Sequence, residues 1–220
     1  MNHRNTHASL MDDVYASQRH IYDVTRKYYL LGRDQALRDL KPQPGQTVLE
    51  IGCGTGRNLA LASKIYPHAR LFGLDISEEM LKSARAQLQK SNATRTIVLQ
   101  QADASDFEPM PLFGVQGFDR ILISYAVSMM PTWREAVLQA AQCLNRAGEL
   151  HVVDFGQQAG LPAWFGTGLR AWLAKFHVEP RADLEAVLND AASIVCGTVH
   201  MRRRYRDYAR HGVLRRTDVT

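Results

Sequence analysis

Nowhere does this chain run to the roughly 20 consecutive apolar residues that a bilayer span requires, so no segment reads as a membrane helix. Cysteine is scarce. Cys53, Cys143 and Cys196 are odd in number, widely scattered and without metal-ligand spacing, which argues against a disulfide framework or a zinc site and fits a reducing compartment. There are no internal repeats, no low-complexity tract and no Gly/Ser linker, so the 220 residues are expected to form one domain. The polar start, Met1-Asn-His-Arg-Asn-Thr-His7, is followed by no apolar core and is not expected to act as a signal peptide. What the chain does have is ordinary apolar content and a mildly basic balance, with a net charge of +5.

The most informative stretch is Val48-Leu-Glu-Ile-Gly-Cys-Gly-Thr-Gly-Arg-Asn58. Val48, Leu49 and Ile51 have the character of a strand covered on both faces. Gly52, Gly54 and Gly56 then alternate, suiting a turn that needs positive φ or a close ligand. A dinucleotide loop spaces its glycines G-x-G-x-x-G because a pyrophosphate sits on the helix that follows. Here the third Rossmann position is Arg57, the loop is tighter, and Glu50 stands two residues ahead of Gly52. That arrangement suits a ligand with a cationic amine and no phosphate.

Around this stretch strands and helices alternate. Strands are expected at 47–52, 70–75, 96–101, 119–125 and 148–154, and helices at 57–65, 78–90 and 133–145, the second opening on Ser77 as N-cap with early acids. Such alternation implies a parallel sheet with helices on both faces, and right-handed crossovers gather the strand C-termini on one edge. The full expectation is an α/β, doubly wound, Rossmann-like seven-stranded sheet, mostly parallel, with an antiparallel C-terminal hairpin strand. Residues 1–40 would form a helical lid (helices at 11–31 and 34–40), 41–155 the donor-binding core, and 156–220 the acceptor-side helices and hairpin. Past residue 155 a helical stripe of Phe165, Leu169, Trp172, Leu173 and Phe176 suits either a bilayer interface or a helix packed in the core. A short helix at 182–190 and two strands within 194–215 complete the chain. The hairpin carries seven arginines, Arg202, Arg203, Arg204, Arg206, Arg210, Arg215 and Arg216. They suit anionic headgroups or a solvated face better than nucleic acid, for which no interleaved signature is present.

Two further acids belong with the glycine turn. Asp75 ends Leu71-Phe-Gly-Leu-Asp75, where a carboxylate accepts both hydroxyls of a ribose. Asp103, with Ala104, ends the third strand, within reach of an adenine amino group. Amine, ribose and adenine acceptors in this order resemble the class I S-adenosylmethionine-dependent methyltransferases. The resemblance implies S-adenosylmethionine as cofactor, S-adenosylhomocysteine as product and no metal. It places Glu50, Gly52, Cys53, Gly54, Asp75, Ile76, Met80, Asp103, Ala104 and Ser124 around the donor, with Tyr28 and Arg33 contributed by the N-terminal segment.

The acceptor is less legible. After the fourth strand the chain reads Ser124-Tyr-Ala-Val-Ser128, not the Asn/Asp-Pro-Pro-aromatic run of nucleic-acid amino-methyltransferases, and no Cys pair suits pyrimidine methylation. Tyr15, Tyr22 and Tyr29 recur every seven residues and share roughly one helix face near Arg26. Tyrosine faces attract methylated ammonium groups by cation–π contact. The run Tyr22-Asp-Val-Thr-Arg-Lys-Tyr-Tyr-Leu-Leu-Gly-Arg-Asp34, with the glycine loop behind it and Phe176-His-Val-Glu-Pro-Arg181 near the end, resembles the bacterial betaine-lipid N-methyltransferases. That resemblance implies three successive methylations of diacylglyceryl homoserine to diacylglyceryl trimethylhomoserine. It implies a cytoplasmic enzyme held peripherally at the inner face of the membrane, with its lipid substrate and anionic lipids as partners. Tyr22, Tyr29 and Tyr125 are the candidates that shape the acceptor pocket; no general base is assigned. The alternatives are another phospholipid amine, a quinone or a soluble acceptor, and a donor-binding subunit without catalysis.

Overall fold

The computed structural model describes residues 29–90, 97–176 and 178–217. The expected helix at 11–31 therefore lies outside the described residues except at its end, as do Tyr15, Tyr22 and Tyr28. The chain enters through α1 (Arg33–Asp39), β1 (Thr47–Ile51), α2 (Arg57–Ile65), β2 (Arg70–Asp75), α3 (Glu78–Lys90) and β3 (Ile97–Gln101). It continues through α4 (Pro109–Phe113), β4 (Phe118–Ser124), α5 (Trp133–Gln142) and β5 (Leu144–Phe155). It ends with α6 (Ala163–Ala174), α7 (Leu184–Ile194), β6 (Gly197–Arg204) and β7 (Ala209–Arg216).

The seven strands form one sheet in the order β3-β2-β1-β4-β5-β7-β6. β1 pairs in parallel with β2 and β4, β2 with β3, and β4 with β5; β7 runs antiparallel to both β5 and β6. This is the mostly parallel sheet with an antiparallel hairpin strand that the alternation implies. The chain starts in the middle and winds outward both ways, so the order reverses between β1 and β4. A crevice opens at the strand C-termini on either side of such a switch point.

Every residue of β1 is buried, yet its side chains still alternate. Leu49 and Ile51 join Phe72, Ile121, Ile123 and Val152 under α5 and α7. Val48 joins Leu71, Leu122 and Val153 under α1, α2 and α3 on the other face. Sequence periodicity cannot show this, because both faces demand apolar side chains. α3 starts as expected: the Ser77 hydroxyl accepts the Met80 N–H at 3.2 Å, with Glu78 and Glu79 in the first turn.

Several boundaries differ from expectation. α5 ends at Gln142 instead of 145, and β5 starts at Leu144, because Leu144 already pairs with Phe118 before a register shift brings Glu149 opposite Arg120. β4 stops at Ser124, since Tyr125 turns to φ 53° and leaves the sheet. The short helix expected at 182–190 runs from Leu184 to Ile194. The aromatic stripe of α6 packs inward: Leu173 is buried, and Phe165, Leu169, Trp172 and Phe176 pack against the cluster that holds Tyr125, Phe155 and Tyr208. Trp164 instead points out, 76% exposed. Four of the seven hairpin arginines meet acids within the fold: Arg204 and Arg202 reach Asp39 at 2.9 and 3.8 Å, Arg210 reaches Asp207 at 2.9 Å, and Arg215 reaches Glu149 at 2.7 Å. No helix among the described residues is long and apolar enough to cross a membrane.

Candidate functional site

The ends of β1, β2, β3 and β4 surround a cavity of about 610 Å³, inside the range of about 300–1,000 Å³ usual for small-molecule sites. Glu50, Gly52, Cys53 and Gly54 from the first turn line it, with Asp75, Ile76 and Met80 after β2, Asp103 and Ala104 after β3, and Ser124 and Tyr125 at the end of β4. Arg33 enters from α1. Among the described candidates Tyr29 alone is absent from the lining. Its ring packs edge-on against Trp172 at 4.8 Å and stacks on Phe155 at 6.4 Å, and its carbonyl accepts the Tyr208 hydroxyl at 2.9 Å. Tyr29 thus joins the N-terminal segment to the sheet.

The glycine turn has the backbone the spacing calls for. Gly52, Gly54 and Gly56 lie at φ 67°, 52° and 75°. Gly52 is also restricted by space, because a Cβ there would meet the Ala126 Cβ at 2.8 Å. Gly52→Ala should therefore weaken donor binding and cost stability on the order of 1–3 kcal/mol, read as a lower melting temperature and a larger dissociation constant for S-adenosylhomocysteine. Unchanged values for both would show that the turn tolerates a side chain.

Glu50 is the least ordinary group in the cavity. It is 4% exposed, and Asn58 donates to its Oε1 at 2.7 Å. Oε2 is buried with no hydrogen-bond partner. Burial raises its pKa to about 8, partly offset by the Asn58 hydrogen bond. A buried oxygen without a donor is costly to keep; a cationic amine in the cavity would supply one. The Ser124 hydroxyl, at the end of neighbouring β4, is buried and unpartnered in the same way.

Asp75 accepts the Gly54 N–H through Oδ2 at 2.8 Å and the Ser77 N–H through Oδ1 at 3.0 Å, so it holds its own loop and the glycine turn together. Asp103 Oδ1 is taken by the Ser105 N–H at 2.9 Å and its hydroxyl at 2.6 Å. Glu50, Asp75 and Asp103 thus stand at or near the ends of the adjacent strands β1, β2 and β3, all on the cavity lining.

Several contributors lie outside motif reasoning. Asp34 grips Arg57 with both carboxylate oxygens, tying α1 to the first turn of α2, and its pKa is lowered chiefly by that hydrogen bond. Met129, Met130, Pro131 and Thr132, from the loop after β4, and Leu30 give the side facing away from β2 and β3 an apolar wall. The Tyr125 ring is buried and its hydroxyl donates to the Leu31 carbonyl at 2.6 Å, so it braces the N-terminal segment, and burial drives its pKa well above the usual phenol value. Of these, Tyr125 was already a candidate from the sequence, and Arg57 and Asp34 are charged residues beside recognised motifs; the methionine loop and Leu30 gave no sequence signal.

Comparison with known proteins shows what this region resembles. A family model described as a methyltransferase domain matches residues 48–148. Over those residues the chain is similar to a methyltransferase domain. The matched stretch contains the glycine turn, Asp75, Asp103 and the loop after β4. A demethylmenaquinone methyltransferase from Desulfitobacterium hafniense (strain Y51) is 27% identical over 156 residues, 68% of this chain and 60% of the relative. The O-methyltransferase cnsE of Penicillium expansum is 32% identical over 124 residues, 56% of this chain and 43% of the relative. The chain thus spans about 60% of the length of the first of these and less of the second. Among solved structures, the putative methyltransferase in complex with the Haloferax volcanii Trm112 activator superposes with a TM-score of 0.71 at 16% identity, covering 93% of this chain and 97% of that one. Magnesium protoporphyrin IX methyltransferase from Synechocystis PCC 6803, with bound S-adenosylhomocysteine, superposes with a TM-score of 0.67 at 17% identity, covering 97% and 98%. Both share the fold.

The residues present fit S-adenosylmethionine. Glu50 and Ser124 are buried polar groups lacking partners where an amine would lie, Asp75 and Asp103 follow at the next two strand ends, and the glycine turn leaves open space at Gly54. When bound, this cofactor supplies a methyl group on a sulfonium. The residues around it align the partners, exclude water and hold charge.

Proposed function

We propose that this chain is an S-adenosylmethionine-dependent N-methyltransferase that converts the primary amine of diacylglyceryl homoserine, in three steps, to the trimethylated betaine lipid at a membrane surface. The observation that carries the reading is the asymmetry of the cavity. The β1–β3 side offers carboxylates and a glycine turn; the side beyond β4 offers Leu30, Tyr125, Met129, Met130 and Pro131. An acceptor bearing a small polar amine on an aliphatic body suits such a wall, and methionines adapt to flexible chains. Among the described residues, the side beyond β4 supplies neither histidine nor lysine to the lining. A neutral amine attacks the methyl carbon with its own lone pair, and the resulting ammonium loses its proton to water before the next round. The specific resemblance of residues 22–34 points to the same acceptor, and Arg33 and Asp34 from that run lie at the cavity and its glycine turn. Leu31, Trp164 and Tyr205, 37%, 76% and 52% exposed, are apolar and aromatic groups suited to a lipid surface.

The test is lipid mass spectrometry on a host that supplies diacylglyceryl homoserine, with and without this chain. Masses higher by one, two and three methyl groups are expected. Unmethylated lipid, alongside purified protein that still binds S-adenosylmethionine, would overturn the acceptor and leave the donor site standing. A quinone would then be tried first, since one relative is a demethylmenaquinone methyltransferase.

A further inference from the structure

We propose that Arg181 is a positioning residue for methyl transfer, fixing the acceptor-side wall of the cavity by clasping the loop after β4 to the connection between α6 and α7. The proposal rests on methyl transfer occurring in this cavity and not on which acceptor is used.

Residues 125–132 leave the sheet at the strained Tyr125 and reach α5 with few internal bonds, from Met129 and Met130 N–H to the Ala126 carbonyl at 3.0 and 3.1 Å. Left to itself, such a loop would sample many conformations. Residues 178–181 hold it. The Arg181 Nε donates to the Val127 carbonyl at 3.2 Å, and Nη2 donates to the Met130 carbonyl at 3.1 Å. The third nitrogen, Nη1, is oriented by Glu179 at 2.6 Å, and the guanidinium lies over the Trp133 ring at 5.6 Å. The Glu179 N–H donates to the Ser128 carbonyl at 2.9 Å. One planar guanidinium thus spans both ends of the segment that ends in Met129 and Met130, the residues that form the wall.

From beneath, Asp154 completes the clasp. It is 1% exposed at the end of β5, and its Oδ2 accepts the Ser128 N–H at 3.0 Å while Oδ1 accepts the Phe155 N–H at 2.7 Å. Burial raises its pKa to about 6, offset first by the Phe155 and Ser128 hydrogen bonds and then by the Arg181 charge. Tyr125 also faces it, and Arg210, opposite on β7, is occupied by Asp207. Protonated Asp154 accepts the Ser128 N–H less strongly, so loop and carboxylate share one pH dependence.

Lysine cannot make the two-carbonyl bridge, because its single nitrogen lacks the planar fork. Arg181→Lys and Arg181→Met are to be compared with the unaltered protein, with folding checked by circular dichroism. In hydrogen-exchange mass spectrometry, peptides covering 127–132 should exchange about tenfold faster in both variants while the β1–β4 core stays protected. S-adenosylhomocysteine affinity, by calorimetry, should change by no more than about threefold, while acceptor turnover falls by about tenfold or more, chiefly in kcat. The acid limb of kcat/KM should move to higher pH in Arg181→Met and stay in place in Arg181→Lys, a split that loss of packing alone would not produce. Unchanged loop exchange overturns the proposal, as does faster exchange with unaltered turnover. Should the unaltered protein turn over no lipid amine, the acceptor reading fails by itself, and loop exchange with donor affinity decides the clasp: exchange of 127–132 that is no faster in either variant, or a lost donor site in both, overturns it.

Discussion

Asp75→Ala is expected to lower affinity for S-adenosylmethionine and S-adenosylhomocysteine by about 10²–10⁴-fold, because two charge-assisted hydrogen bonds of about 1.5–3 kcal/mol each are lost. The carboxylate stands where a ribose diol would meet it, at the end of β2 and on the cavity wall. The apo contacts sharpen the expectation. Because Asp75 also accepts the Gly54 and Ser77 amides, alanine removes the brace that keeps the glycine turn against α3. The effect should concentrate at the site, since β2 is otherwise anchored by the buried Leu71, Phe72 and Leu74. Calorimetric titration with S-adenosylhomocysteine, beside circular dichroism to establish that the variant is folded, makes the check; unchanged affinity in a folded variant would falsify the ribose role. Asp75→Asn retains an acceptor for one amide and should fall between the two.

Glu50→Gln should weaken donor binding by about 10–100-fold and stabilise the ligand-free protein at alkaline pH, two opposite consequences of one buried carboxyl. Burial raises the pKa of Glu50 in the folded state to about 8, from 4.5. The folded state therefore holds a proton that the unfolded chain releases. The associated stability is fully present below pH 4.5 and is lost as pH rises through about 8, a span worth roughly 5 kcal/mol. Glutamine carries no such penalty, and its carbonyl can still accept from Asn58. A donor ammonium selects the carboxylate, so binding at pH 7 should release a proton, and affinity should rise with pH up to about 8. Calorimetry in buffers of different ionisation enthalpy measures that proton directly. In Glu50→Gln the proton release and the pH slope should vanish; a slope that persists would place the titrating group elsewhere.

Glycine positions and the approximate placement of the strands were legible because both are local. Gly52, Gly54 and Gly56 take positive φ, which glycine adopts at least cost, and alternating runs of apolar residues fall where buried parallel strands must run. The ordering of Glu50, Asp75 and Asp103 along the chain was likewise enough to order them along the sheet edge, since consecutive right-handed crossovers lay β1, β2 and β3 side by side. Boundaries failed where one strand's end depends on its neighbour: Leu144 begins β5 early because Phe118 is already there to pair with it. The tail arginines looked like a free basic face because the acids that meet them, Asp39 and Glu149, come from α1 and β5, far away in sequence.

By itself, then, the sequence determined the strand-and-helix alternation, the glycine turn and the three carboxylates along one sheet edge, because each follows from backbone conformation, periodicity or position at a strand end. Only the tertiary structure decided how those groups are charged and who holds them. Burial, not the identity of the residue, leaves one oxygen of Glu50 without a partner; Asp34 reaches Arg57 because α1 lies beside α2. Arg181 spans Val127 and Met130 because the chain returns past β4 after α6. Solvation and long-range hydrogen bonding depend on neighbours in space, which no local pattern records.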